Sequence, residues 1–301
     1  MYIHKSKKDF LRPPELNFYR GQNIYQFDNV VSTFIKNNIP FVIRNFIPEE
    51  LPSKWQNLNY LASKVGGVTI PLESYENFFY EMDKLQTIFL SFQEYVDYLK
   101  APIKTQKLYL AEVELFNRNN TKVLFQILNN DIKYHTVYTN KLYARVMFLG
   151  HHSITQMHYH TQLEAMINQV VGIKKFFLFP PNHNLFYQMN PYPWYHAKSN
   201  WSQYKFKVSN ASDFKGIAER LNLVNGVEVS LSPGDSLYIP IYWWHIVFGE
   251  EMSLSFTDFF DTNSSKKYLS PIGLRSLNHI PNSIRYPIKN SFSKLSTLLR
   301  N

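Results

Sequence analysis

The sequence contains no cysteine, which excludes disulfide bonds and thiolate metal sites. Any metal in this protein must therefore be held by histidine, aspartate or glutamate. No apolar run approaches the roughly 18 to 20 residues that a membrane-spanning helix needs. The first nine residues are polar and lack the apolar core of a secretory signal. We therefore expect an intracellular protein, cytoplasmic or nuclear, without a membrane partner.

Acidic residues are in the minority, because 32 lysines and arginines face 23 aspartates and glutamates. The excess is concentrated at the C-terminal end, where residues 262–301 contain seven basic residues and no acidic one. A tail of this kind can contact RNA, an acidic protein or a second subunit. A solvated basic tail is the simpler interpretation, because no nucleic-acid-binding motif accompanies it. Residues 292–299 have helical apolar spacing, so a homodimer through this helix stays an open alternative.

The residue pattern predicts a mainly β protein with flanking helices. Helical spacing occurs over 27–37, 58–65, 92–99 (with Ser91 as a plausible N-cap) and 214–221. Strands are predicted over 40–44, 68–72, 108–113, 143–150, 165–171, 175–179, 227–231, 236–240 and 253–259. Many short strands favour a sandwich or a small barrel. We expect one domain over 1–301, with an N-terminal α/β elaboration (1–104), a β core (105–262) and a basic tail (263–301).

Three histidines are the candidate metal ligands. His158 and His160 are separated by one residue in an extended segment, so both side chains are predicted to face the same interior. His245 lies 87 positions after His158, behind a Pro-Gly-Asp turn and a short apolar strand. Together they would offer three donors to one side of a metal and leave other positions open for substrate and oxygen. A His-x-His pair alone is more often a packing or surface feature, so the prediction depends on the combination.

Three motifs follow one another along the predicted core. In chain order they are Thr155-Gln156-Met157-His158-Tyr159-His160, then Gln169-Val170-Val171-Gly172-Ile173-Lys174 with Phe179-Pro180-Pro181, and then Pro233-Gly234-Asp235 with Trp243-Trp244-His245. They resemble the Jumonji C family in its cupin-like hydroxylase branch, which includes asparaginyl, lysyl and tRNA-wybutosine hydroxylases. The resemblance extends loosely over residues 27–260. It implies a double-stranded β-helix, the cupin or jelly-roll core, built around iron(II) and 2-oxoglutarate.

The resemblance also implies roles for individual residues. It makes His158 and His245 iron ligands, with His160 as the third donor. Four further residues would bind the co-substrate: Lys174 as the salt-bridge partner of the distal carboxylate of 2-oxoglutarate, Thr155 and Tyr109 as hydrogen-bond partners, and Thr257 in the position of a late-strand asparagine.

The main departure from the family pattern is His160, which stands where the family has an aspartate or glutamate. Three imidazoles can still hold iron(II), as they do in other cupin-type dioxygenases. Neither Glu164 nor Asp258 replaces the missing carboxylate in an obvious way. We therefore expect a 2-oxoglutarate-dependent oxygenase that hydroxylates a macromolecule, with a protein side chain favoured over RNA or tRNA. The alternatives are a catalytically impaired binding protein, and a three-histidine cupin isomerase or dioxygenase that does not use 2-oxoglutarate.

Overall fold

The computed structural model describes residues 10–17, 24–75, 86–104, 106–133, 142–181, 188–192, 198–204, 206–221, 223 and 226–261. The predicted basic tail and its helix over 292–299 lie outside these residues. The homodimer and the RNA contact predicted from them therefore stay predictions, as do the proposed domain boundaries. None of the described helices has both the length and the apolar character that crossing a membrane requires.

The described helices flank the β core. Their bounds are α1 Ile24–Lys36, α2 Glu50–Trp55, α3 Leu58–Val65, α4 Phe92–Lys100, α5 Gln126–Asn129 and α6 Ala211–Arg220. The predicted N-cap of α4 is confirmed, because Ser91 and Glu94 form a capping box: the Ser91 hydroxyl accepts from the Glu94 backbone, and the Glu94 carboxylate accepts from the Ser91 backbone. Helix α6 begins three residues before its predicted start, since the Asn210 side chain accepts a hydrogen bond from the Asp213 backbone.

The described strands form one sheet. They are β1 Glu15–Asn17, β2 Phe41–Arg44, β3 Thr69–Tyr75, β4 Gln86–Ser91, β5 Lys107–Asn117, β6 Leu142–His151, β7 Ile154–His158, β8 Leu163–Phe179, β9 Val227–Leu231, β10 Ser236–Ile239 and β11 Trp244–Asp261. Their order is β1-β2-β10-β8-β11-β6-β5-β3-β4, with β7 also on β11 and β9 also on β8. The mainly β architecture with flanking helices confirms the predicted fold class.

Strands β8 and β11 are longer than the sequence pattern indicated. The prediction of two strands separated by a turn at Gly172 is wrong, because β8 continues through this residue. Gly172 adopts a φ of 69°, and a Cβ atom there would lie 2.1 Å from the carbonyl oxygen of Met252. The ladder absorbs the irregularity as a register shift between Glu250 and Leu254 of β11. Both strands therefore extend along the whole core, and the segment predicted over 253–259 is the second half of β11.

Buried side chains form separate hydrophobic clusters between the helices and the outer face of the sheet. One cluster joins α2, α3 and α4 to the sheet through Trp55, Phe92, Tyr95 and Phe256. A second cluster joins α6 to the sheet and contains Phe214 and the other buried aromatic residues on that side. Burying a large apolar side chain contributes about 1.5–3 kcal/mol, so these clusters fix the strands whose opposite side chains form the candidate site.

Candidate active site

The structure brings the three predicted histidines together. His158 is the last residue of β7, and it pairs directly with His245, the second residue of β11. His160 lies two residues beyond the end of β7, so it reaches the cluster from irregular backbone and not from within the strand. One ring nitrogen from each histidine lies within 4.8 Å of the others. The three imidazoles therefore converge as predicted, but His160 lies outside the strand that was predicted to hold it.

Hydrogen bonds orient two of the imidazoles. Nδ1 of His158 lies 2.8 Å from the carbonyl oxygen of Gln156, and Nδ1 of His245 lies 2.9 Å from that of Trp243. With Nδ1–H as the donor, Nε2 of each ring keeps its lone pair for a metal. Nδ1 of His160 is buried, and the described part of the chain gives it no hydrogen-bond partner. A buried polar atom without a partner is unfavourable, so this nitrogen fits a bound cation.

The three imidazoles are neutral at physiological pH. Burial lowers the pKa of His158 to about 4. Burial and the neighbouring His158 ring lower the pKa of His160 to about 3. Burial, reinforced by the other two rings, holds the pKa of His245 well below its usual value. Neutral imidazole is the form that binds metals, and three such donors suit a divalent first-row metal.

A tryptophan covers one face of the cluster. Trp201 stacks on His158, with ring centroids 4.6 Å apart and an angle of 20° between the planes. The backbones of the two residues also form an isolated β-bridge. Trp201 belongs to a Pro-, Asn- and Trp-rich segment over 187–204, and no motif in the sequence singled this residue out.

All seven predicted site residues line one pocket. They are His158, His160, His245, Lys174, Thr155, Tyr109 and Thr257. The same pocket contains Glu112, Phe148 and Trp201, which sequence reasoning did not identify. Phe148 and Glu112 gave no motif signal, and their positions follow only from the pairing of β5 with β6.

Lys174 is a buried cation without a carboxylate partner among the described residues. Its side chain belongs to a residue that is 3% exposed. Nζ donates to Oγ of Ser255 at 2.7 Å and lies 5.1 Å from the centroid of the Phe148 ring. Burial lowers the pKa of Lys174 to about 7. An unpaired buried ammonium is unfavourable, so this position suits an incoming anion.

Two hydroxyl groups accompany Lys174 in the pocket. The Tyr109 hydroxyl lies beside the side chains of Thr155 and Ser153, and burial raises the pKa of Tyr109. Its ring packs against Gly150, where a Cβ atom would lie 2.6 Å from a ring carbon. Glycine at this position therefore leaves the room that the Tyr109 ring occupies beside β6.

Asp258 is not a substitute for the missing acidic ligand. Its carboxylate accepts two hydrogen bonds from Arg145, at 2.5 and 3.1 Å, and the residue is fully buried. Burial raises the pKa of Asp258 while the Arg145 guanidinium opposes that change. Glu164 is also outside the group of side chains that could share a metal, which in the described part of the chain consists of His158, His160 and His245.

Comparison with known proteins gives consistent matches. A family model for the cupin-like domain matches residues 28–266. JmjC domain-containing protein D of Dictyostelium discoideum is 26% identical over 279 residues, which is 85% of this chain and 57% of that protein. A lysine-specific demethylase of Arabidopsis thaliana is 28% identical over 224 residues, 72% of this chain and 48% of that protein.

Jumonji C domain-containing protein 5 of Drosophila melanogaster is 29% identical over 216 residues, 67% of this chain and 49% of that protein. The chain thus spans about half the length of these curated relatives. The family match covers most of the chain and confirms the predicted jelly-roll core. The fold, the motifs and these matches together show that the chain belongs to the Jumonji C family, in its cupin-like branch.

Proposed function

We propose that this protein is an iron(II)- and 2-oxoglutarate-dependent oxygenase that hydroxylates a macromolecular substrate, with a protein side chain as the favoured target. The observation that carries the proposal is the content of one pocket: three neutral imidazoles and one buried lysine without a carboxylate partner among the described residues. The imidazoles suit a metal ion and the lysine suits the carboxylate of an acid. This chemistry requires both a metal and an acidic co-substrate. The relatives that carry the Jumonji C domain support the same reaction class.

Iron(II) would be held by His158, His160 and His245, and when bound it would supply the activation of oxygen for oxidation of a C–H bond. The protein contributes orientation. The carbonyl oxygens of Gln156 and Trp243 fix the tautomers of His158 and His245. The Nε2 atoms of both rings are therefore already oriented for coordination in the metal-free protein, which reduces the reorganisation needed when a metal binds.

The acid would be held by Lys174. Pairing with a carboxylate restores the charged state of the ammonium, so the proton stays on Nζ when the co-substrate is bound. Thr155 and Tyr109 bring hydroxyl groups to the same pocket and can hydrogen-bond the carboxylate. Apolar side chains complete the walls and exclude water from the reacting centre.

The test is the conversion of 2-oxoglutarate to succinate by purified protein with added iron(II), with and without candidate peptides. We expect turnover in the wild type and its loss in Lys174→Ala and His245→Ala. The matched control is His152→Asn, which removes an imidazole outside the pocket lining at a residue with a φ of 48°, a conformation that asparagine tolerates. Absence of metal binding in the wild type would overturn the proposal. Activity that survives Lys174→Ala would instead favour a three-histidine enzyme that does not use 2-oxoglutarate.

A catalytically impaired binding protein is the second candidate, and His160 is the observation that favours it. An imidazole in place of a carboxylate leaves the metal site with one negative charge fewer. The two candidates differ in one result, because an impaired protein binds metal and 2-oxoglutarate but forms no succinate. Binding followed by calorimetry, together with the succinate assay on the same preparation, separates them.

A further inference from the structure

Glu112 is a second charged group in the pocket, and the proposed function leaves it without a role. Among the described residues it is the one carboxylate that lines this pocket. It lies on β5, three residues after Tyr109. In regular strand geometry residues three apart face opposite sides of the sheet. Something in β5 must therefore turn Glu112 toward the side that Tyr109 occupies.

A β-bulge provides this change of direction. Leu110 pairs with Leu149 and Val113 pairs with Met147, so β5 uses three steps where β6 uses two. The extra residue reverses which side of the sheet each following side chain faces. This reversal is seen in the apolar side chains that enter the outer core, which switch from even-numbered to odd-numbered positions. These residues are Leu108, Leu110, Val113 and Leu115. The bulge thus directs Glu112 into the pocket beside Tyr109 and opposite Phe148, as bulges near functional sites commonly do.

The backbone at the bulge is strained. Glu112 has a φ of 57°, in the left-handed region that residues with a Cβ atom rarely adopt. Glycine would relieve this strain, yet the sequence has a charged residue here. Strained backbone of this kind persists where the surrounding structure enforces it and is concentrated at functional sites. Here the left-handed conformation belongs to the bulge that places the Glu112 side chain on the pocket side of β5.

The Glu112 carboxylate lacks a cationic partner within the described part of the chain. Lys174, the other charged group of the pocket, donates to Ser255 and forms no ion pair with it. Glu112 keeps much of its surface accessible, yet the protein around it is dense enough for desolvation to raise the pKa of its carboxyl. Nor does Glu112 belong to the group that could share a metal. The carboxylate thus faces open space that a ligand can enter.

The walls of this space suit a cation. Phe148, Phe176, Trp201 and Phe259 line the pocket with aromatic side chains. Ammonium and guanidinium groups are attracted to aromatic faces, and they form their strongest hydrogen bonds with carboxylates. A neutral apolar ligand would leave the Glu112 charge unpaired, and the anionic co-substrate proposed above has Lys174 as its partner. A basic side chain satisfies both the carboxylate and the aromatic walls.

We infer that Glu112 receives the positively charged end of a lysine or arginine side chain, and so selects a protein substrate that presents a basic residue to the pocket. The inference deepens the proposed function and rests on it for the identity of the reaction. It assigns Lys174 to the acidic co-substrate and Glu112 to the basic substrate. The pocket would in this way separate two oppositely charged ligands.

The test measures binding without turnover, on full-length protein loaded with zinc(II) in place of iron. The probes are blocked pentapeptides of alanine with a central arginine or lysine, compared with the same peptides containing the neutral citrulline or norleucine. We expect the wild type to prefer the charged peptide by about tenfold to a hundredfold, the range for a hydrogen bond to a charged group. Glu112→Gln should abolish that preference, and Glu112→Asp should retain part of it.

The matched control is Glu250→Gln, which removes an exposed acid that pairs with Lys175 outside the pocket; this variant should keep the full preference. A charged-peptide preference that survives Glu112→Gln, or that is absent from the wild type, overturns the inference. The inference is also overturned if a single-stranded RNA oligonucleotide binds more tightly than the charged peptides and Glu112→Gln does not change the affinity for that RNA. The succinate assay and the peptide-binding assay test the two proposals separately. A preference for charged peptides without succinate formation refutes only the oxygenase proposal. Succinate formation without a preference for charged peptides refutes only the role of Glu112.

Discussion

Replacing Lys174 by methionine is expected to stabilise the free protein while it abolishes binding of 2-oxoglutarate. Methionine is also long and unbranched, so it fills the space of the lysine stem without the charge. The substitution removes one hydrogen bond to Ser255, worth about 1 kcal/mol. It also removes an ammonium that folding buries without a carboxylate among the described residues. The second effect is the larger one.

The magnitude follows from the pKa of Lys174, which burial lowers from 10.5 to about 7. Between these two pH values the unfolded protein binds the proton and the folded protein does not. The stability of the wild type therefore rises with pH across this window, by about 1.4 kcal/mol per pH unit. Below pH 7 the full burial penalty applies, and above pH 10.5 it vanishes. The whole window corresponds to at most about 5 kcal/mol.

The assay is urea unfolding of the wild type and Lys174→Met at pH 7, 8 and 9. The free energy of unfolding of the variant should exceed that of the wild type, and this difference should shrink by about 1.4 kcal/mol per pH unit. Comparing the two proteins cancels the other titrating groups. A difference that does not change with pH would refute the reasoning, because Lys174 would then have the same pKa in both states. Calorimetry should show that the variant binds metal but not 2-oxoglutarate.

Three other substitutions test separate parts of the structure. His160→Ala should lose iron by elemental analysis, whereas His160→Asp should keep it and form more succinate; unchanged iron in His160→Ala would show that this residue is not a ligand. Asp258→Asn leaves the buried Arg145 charge without its partner and should cost about 3–5 kcal/mol in urea unfolding; a loss below 1 kcal/mol would contradict a desolvated pair. Ser91→Ala removes a capping box and should lower the free energy of unfolding by about 1 kcal/mol, measured in the same way.

The features that sequence predicted well are those that depend on local chemistry. Ser91 was identified as an N-cap because a serine hydroxyl just before an amphipathic segment commonly accepts a hydrogen bond from the first turn of a helix. The bounds of α3 and β9 agree with the prediction for the same reason, since their apolar spacing is regular. The three histidines were found because residue spacing and motif order constrain the fold they can belong to.

The features that sequence did not reveal depend on pairing between distant strands. Alternation predicts that Tyr109 and Glu112 face opposite sides, and only the register with β6 shows the bulge that reverses this. Gly172 was predicted to end a strand, because a glycine between apolar runs usually marks a turn; its contact with Met252 shows a strand that continues through it. Arg145 and Asp258 are 113 residues apart, so no local pattern indicated their ion pair.

The site combines residues on long paired strands with a tryptophan on a connecting segment, and this difference affects how substrate specificity can change. Lys174, His245 and Thr257 lie within β8 and β11, whose positions are set by a long series of backbone hydrogen bonds. Their spacing cannot be adjusted without breaking the sheet, so the chemistry is tied to a frame that tolerates little variation. Trp201 instead enters from a connecting segment that insertions or deletions can reshape. New substrates are therefore expected to be acquired by remodelling the tryptophan side of the pocket, with the metal and acid positions left as they are.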